Sequence, residues 1–183
     1  MGDHAGPEII VKRAHRVNAV VICFDPLVKP LTHKQFDKLA RELFSVVLSP
    51  HGFSCELSRH CTFTRQIGDD IVHVIMPDPG TRCAWYDIQV FPTSPRFHDD
   101  FAERFPDSLG NTLDVWGKLS ETAGIGMDQQ QFNCKYESNM RNRFEKTVAG
   151  LLVNTAIPFL DTIQTYDDML PHLRGPFARF NGK

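Results

Sequence analysis

No apolar run in this 183-residue chain approaches the roughly 20 residues that a membrane helix needs. The longest clean early run, Ala19 to Phe24, is six residues, too short for the core of a secretory signal. An excess of one charge is missing too. Twenty basic and 22 acidic side chains leave a net charge of −2, so no broad cationic field exists to draw in nucleic acid or anionic lipid. The five cysteines (Cys23, Cys55, Cys61, Cys83, Cys134) form an odd set with no C-x-x-C pair. That argues against a disulfide framework and for buried free thiols in a reducing cytoplasm. The chain also has no G-x-S-x-G elbow, no Walker lysine loop, no G-x-G-x-x-G turn and no H-E-x-x-H, so none of these routes to catalysis is open.

What is present is enough for an ordinary core. Surface scaling gives about 70% burial for a chain of this size, without help from a disulfide or a metal. Apolar residues make up 42% and charged residues 23%, which excludes a mainly disordered chain. At roughly 150 residues per domain, one domain is expected.

Residues 1–30 read as an irregular N-terminal extension, with two short β-like apolar runs closed off by Pro26 and Pro30. Phe36, Leu39, Ala40, Leu43, Phe44 and Val47 then form one stripe of an amphipathic helix. Thr32 and Gln35 have capping-box spacing, Leu31 and Phe36 fit a hydrophobic staple, and Ser49-Pro50 stops the helix. Four β-like runs follow: Phe53 to Ser58, Thr62 to Ile67, Ile71 to Met76 and Arg82 to Phe91. Gly68-Asp69-Asp70 reads as a tight hairpin and Pro77-Asp78-Pro79-Gly80 as a longer turn, so consecutive strands pair antiparallel. In the last strand Ala84, Tyr86, Ile88 and Val90 share a core-like face, while Cys83, Trp85, Asp87, Gln89 and Phe91 share the other. Residues 92–131 offer only a short helix near His98 to Phe105, a strand within Leu113 to Leu119 and a Gly124-Ile125-Gly126 loop; Phe132 to Tyr136 reads as one more short strand. Met140, Phe144, Val148, Leu151 and Leu152 make a second helical stripe, with Ser138 or Asn139 as its N-cap. Pro158 begins a short helical turn, and Thr165 caps a last short helix with Asp167 and Asp168 in its first turn. The expected fold is α+β, an antiparallel sheet of four or five strands packed by the early helix and the C-terminal helical segment. One domain spans 31–174, with 175–183 as a tail.

The order of these motifs resembles the bacterial proteins grouped as domain of unknown function 4304. A leading helix runs into His51-Gly52-Phe53; Phe63-Thr64-Arg65 and Ile71-Val72-His73-Val74-Ile75 follow; then come Trp85-Tyr86-Asp87-Ile88-Gln89-Val90-Phe91-Pro92 and the closing Ile157-Pro158-Phe159-Leu160. The likeness covers residues 31 to about 174. Gln89-Val90 departs from it, where a glycine is expected, and residues 1–30 have no counterpart. The resemblance implies an α+β domain and carries no catalytic residue over to this chain.

Two chemistries have partial ingredients. His51, Cys55, His60 and Cys61 are four metal-ligand types within eleven positions, but their spacing matches no zinc pattern. Asp78 with Asp87-Ile88-Gln89 is similar to the Asp…Asp-x-Lys set of metal-dependent nucleases, with Gln89 in place of the charged lysine. His60 and Cys61 are neighbours whose side chains oppose each other on a strand, so they form no nucleophile pair. The remaining candidate is the second face of the sheet. Trp85, Asp87 and Gln89 line up on it, with Arg65 and His73 as neighbours if the register allows. That face is core if helices cover it and an aromatic-plus-polar recognition surface if they do not. The expected function is a non-enzymatic cytoplasmic binding or protein-interaction module. The alternative is a metal-dependent hydrolase, nuclease or phosphoesterase-like, using Asp78 and Asp87. Apart from that alternative, no catalytic residue, cofactor or metal is expected. A protein is the expected partner, with neither nucleic acid nor membrane.

The capped helix start at Thr32 predicts that residues 1–30 are dispensable for folding. A chain beginning at Leu31 is expected to melt within a few degrees of the full chain, because about 1 kcal/mol shifts a domain of this size by roughly 2–4 °C. Insolubility or a larger drop in calorimetry would place the Val20 to Phe24 run in the sheet.

Overall fold

Thr32 starts the first helix as its spacing with Gln35 requires. Its side chain accepts from the Gln35 N–H while the Gln35 side chain accepts from the Thr32 N–H. This helix, α1 (His33–Leu48), buries Phe36, Leu39, Ala40, Leu43, Phe44 and Leu48. It ends in a tight turn, Ser49–His51, closed by Gly52 at φ 83°, a left-handed conformation that glycine adopts at least cost. The computed structural model describes residues 29–57, 60–80, 83–96, 99, 103, 117–118 and 132–172. The expectations for residues 1–28, for the Gly124-Ile125-Gly126 loop and for the tail lie outside the described residues.

After Gly52 the chain runs up and down through β1 (Ser54–Leu57), β2 (Cys61–Ile67), β3 (Ile71–Pro79) and β4 (Trp85–Thr93), each antiparallel to the last. Two short strands, β5 (Gly117–Lys118) and β6 (Phe132–Asn133), both pair with β4 and complete a six-stranded sheet. Together with the helices this is the α+β fold expected from the sequence. Residues 95, 96, 99 and 103 are helical, in the region where a short helix was expected.

One turn moves. Pro77-Asp78-Pro79 is not a turn but the end of β3, paired with Ile88, Asp87 and Tyr86. Two prolines are tolerated there because of direction. The Gly80 N–H reaches the Trp85 carbonyl at 2.9 Å, so by alternation the nitrogens of Pro77 and Pro79 point away from β4. On that side β2 pairs with β3 only as far as Phe63 opposite Ile75, so neither nitrogen faces a ladder partner.

The C-terminal stripe forms one continuous helix, α2 (137–161), which contains two π-helical stretches, Phe144–Val148 and Leu152–Ala156. Its N-cap is Tyr136, which makes no side-chain cap, rather than Ser138 or Asn139. Pro158 does not start a separate helix. The Ile157 N–H donates five residues back to Leu152, and this widened turn gives the proline ring room. Thr165 caps α3 (Tyr166–Met169) with a full capping box to Asp168. No described helix is long and apolar enough to cross a membrane.

α1 and α2 cover one face of the sheet. Tyr86 is the hub: its ring lies 5.4 Å from Phe36, 5.4 Å from Phe132 and 6.4 Å from Phe44, and Phe44 in turn stacks on Phe63 at 5.8 Å and meets Phe144 at a tilt, 4.9 Å between ring centres. The Tyr86 hydroxyl is buried without a hydrogen-bond partner among the described residues, and burial pushes its pKa upward. By contrast the neighbouring Trp85 is 38% exposed.

Urea unfolding separates these contributions. Tyr86→Ala is expected to cost about 3 kcal/mol or more and Trp85→Ala clearly less. Tyr86→Phe removes only an unsatisfied buried hydroxyl, so it should leave stability unchanged or raise it by about 1 kcal/mol. A substantial loss in Tyr86→Phe would reveal a partner for that oxygen.

Candidate functional site

The register divides the five residues singled out from the sequence between opposite faces of the sheet. Arg65 pairs with His73 and His73 with Pro92, which puts Arg65 and His73 on the helix-covered face with Tyr86, Ile88 and Val90. Trp85, Asp87 and Gln89 occupy the other face. Arg65 and His73 therefore do not belong to a surface around Trp85, because each sits one residue out of phase with it.

What Arg65 and His73 form instead is a clamp. Arg65 Nη2 contacts Asp161 Oδ1 at 2.5 Å and His73 Nδ1 at 2.9 Å, while Nη1 donates to the His51 carbonyl at 3.1 Å. The guanidinium also lies 4.7 Å from the centre of the Phe53 ring. His73, fully buried, places Nε2 2.7 Å from the Ile163 carbonyl. A carbonyl can only accept and a guanidinium can only donate, so the imidazole is neutral, with its proton on Nε2. Burial holds the His73 pKa below its usual value; the Arg65 charge adds to this, and the Ile163 bond and Asp161 oppose it. The arrangement joins β2, β3, the turn after α1 and the end of α2. Its partners Asp161 and Ile163 lie about ninety residues away in the chain, and no local signal marks them in the sequence.

The other face is neither open nor sealed. Val74, Asp87 and Phe91 are buried, Met76, Asp78 and Gln89 half-buried, and Trp85 exposed. The Trp85 indole lies on Gly80, where an added Cβ would meet the ring at 2.7 Å. Asp78 and Asp87 stand directly opposite each other across β3 and β4. Asp78 Oδ2 accepts from Gln89 Nε2 at 3.0 Å, and Asp87 Oδ1 accepts from the Ile88 N–H at 2.8 Å.

Of the four metal-ligand types near the first hairpin, only Cys55 and Cys61 converge, with their sulfurs 3.4 Å apart. Among the described residues no three His, Cys, Asp or Glu side chains gather as a metal site. The cysteine pair was readable in principle: Cys55 and Cys61 sit on opposite sides of one turn, an even number of residues apart. No family model matches the chain, and no curated protein or solved structure matches it either.

The clamp generates a pH dependence. A histidine whose folded pKa lies below the unfolded 6.5 leaves the folded state holding fewer protons. Stability from this group is complete above about pH 6.5 and falls as pH drops toward the folded pKa. Melting curves from pH 7.5 to pH 5 should show that fall. In His73→Gln, whose amide can still accept from Arg65 and donate to Ile163, this part of the fall should disappear. Parallel curves for the two proteins would remove His73 as its source.

Proposed function

We propose that the protein is a non-enzymatic binding module whose contact surface is the outer face of β4 at the exposed Trp85 and half-buried Gln89, with Asp87 buried on that same face and another protein as partner. The observation that carries this reading is the half-exposed indole. Trp85 is fixed on a central strand and seated on Gly80, so a partner covering it costs little side-chain freedom. Polar groups already tied to one another, Gln89 to Asp78, flank it. An aromatic anchor in a polar surround is the composition of interface hot spots. The four cysteines among the described residues are free, which supports a reducing, cytoplasmic setting. The proposed likeness to domain of unknown function 4304 rests on motif order and gives no residue a reaction.

A second reading is a metal-dependent hydrolase, nuclease or phosphoesterase-like, and the cross-strand placement of Asp78 opposite Asp87 favours it. It requires both carboxylates to turn toward one ion, giving up bonds to Gln89 and Ile88. The binding reading needs no such rearrangement.

Affinity capture with the wild-type chain, compared with Trp85→Ala and with Gly80→Ala, tests the first reading. Gly80→Ala displaces the indole without removing it. A partner held by the wild type and lost by at least tenfold in both variants, with melting curves intact, is the expected outcome. Equal capture by all three would place any interface elsewhere. Manganese-dependent cleavage of a phosphodiester, abolished in Asp87→Asn, would establish the second reading.

A further inference from the structure

We propose that Cys55 and Cys61 are a reversible dithiol–disulfide pair, with Cys55 the attacking and Cys61 the resolving sulfur toward small disulfides such as oxidised glutathione. Leu57 pairs with Cys61 and Cys55 with Phe63, so the two cysteines share one face of the first hairpin as diagonal neighbours. Their sulfurs are already 3.4 Å apart, and roughly 1.4 Å of further approach reaches the ~2.05 Å of a disulfide bond. The pair is asymmetric. Cys55 is half-buried, within reach of a small molecule, and Cys61 is fully buried. Burial, the neighbouring Cys55 and the Asp37 charge push the Cys61 thiol upward, with Arg41 opposing them, so Cys61 remains a thiol until Cys55 has reacted.

The chemistry balances. The Cys55 thiolate attacks one glutathione sulfur, the glutathione S–S bond breaks, and the leaving thiolate takes up a proton. Cys61 then loses its proton to water as its sulfur attacks Cys55 Sγ, and the second glutathione leaves and is protonated. Two protein thiols are oxidised and one glutathione disulfide is reduced to two thiols. The Cys61 N–H lies 3.4 Å from Asp37 Oδ1 on α1, so the new bond closes the hairpin beside the helix that covers it. Cys83 and Cys134 provide an internal contrast. Both are buried, and the Cys134 thiol is committed to the Cys83 carbonyl at 3.2 Å.

The full chain is incubated with excess oxidised glutathione, alkylated and digested with trypsin. Arg59 lies between the two cysteines, so their disulfide joins peptide 42–59 to peptide 60–65. The expected result is this linked pair, loss of two of the five thiols, a mass lower by two hydrogens, and full reversal by dithiothreitol. Cys61→Ala should stop at a glutathione adduct on Cys55, and Cys55→Ala should give neither product at position 61. Any of three outcomes in the wild-type chain overturns the proposal: a lasting adduct on Cys55, linkage of Cys83 to Cys134 or to Cys23 instead, or no reaction at Cys55 and Cys61. The wild-type peptide map decides the matter even if a variant fails to fold.

Discussion

The register of β3 on β4 governs which chemistry faces helix and which does not. Val90 lies opposite Ile75, Ile88 opposite Pro77 and Tyr86 opposite Pro79, so four apolar side chains and two proline rings meet α1 and α2 on one side. A slip by one residue would exchange the two faces of a strand and set Asp87 where Ile88 now packs. The aromatic cluster around Tyr86 holds this register in place, since Phe36, Phe44 and Phe132 all close on that one ring. Even the unsatisfied Tyr86 hydroxyl is tolerated there, a cost of about 1–3 kcal/mol set against the burial of a large ring.

Where the apolar packing ends, the Arg65 clamp takes over. A buried histidine beside a guanidinium is unfavourable unless every polar group finds a partner. Here the imidazole is satisfied at both nitrogens, and Asp161 supplies the counter-charge. Arg65 Nε, buried and unpartnered among the described residues, is the residual cost. What the clamp achieves is long-range: it fixes the point at which α2 ends and the chain turns into α3, and so keeps α2 aligned along the sheet.

The sequence made local features legible and left tertiary ones dark. The capping boxes at Thr32 and Thr165 and the stripe on α1 depend on spacings of three and four residues, and the structure contains them. Alternation along Trp85 to Val90 likewise predicts the burial of Tyr86 and the exposure of Trp85. The Pro77-Asp78-Pro79 strand end misled, because proline is a turn former unless its nitrogen points away from a ladder, and that direction is set by the neighbouring strands. Placing Arg65 and His73 beside Trp85 failed for a related reason: the face of a strand residue follows from register, and register depends on contacts far along the chain. The continuity of α2 through Pro158 was hidden because periodicity of 3.6 does not reveal a π-helical turn.

The same register makes the outer face of β4 chemically ambiguous. Two carboxylates directly across a strand pair repel each other, so an isolated Asp78 and Asp87 would weaken the sheet. The side-chain amide of Gln89 and the backbone N–H of Ile88 each donate to one of them. These donors reduce the demand for an outside cation, and a metal would have to displace them before it gained anything. Trp85 differs at its exposed edge: the indole rests on Gly80 and still carries apolar surface in contact with water. On this face each carboxylate therefore accepts from a donor within the sheet, while the indole is only partly covered.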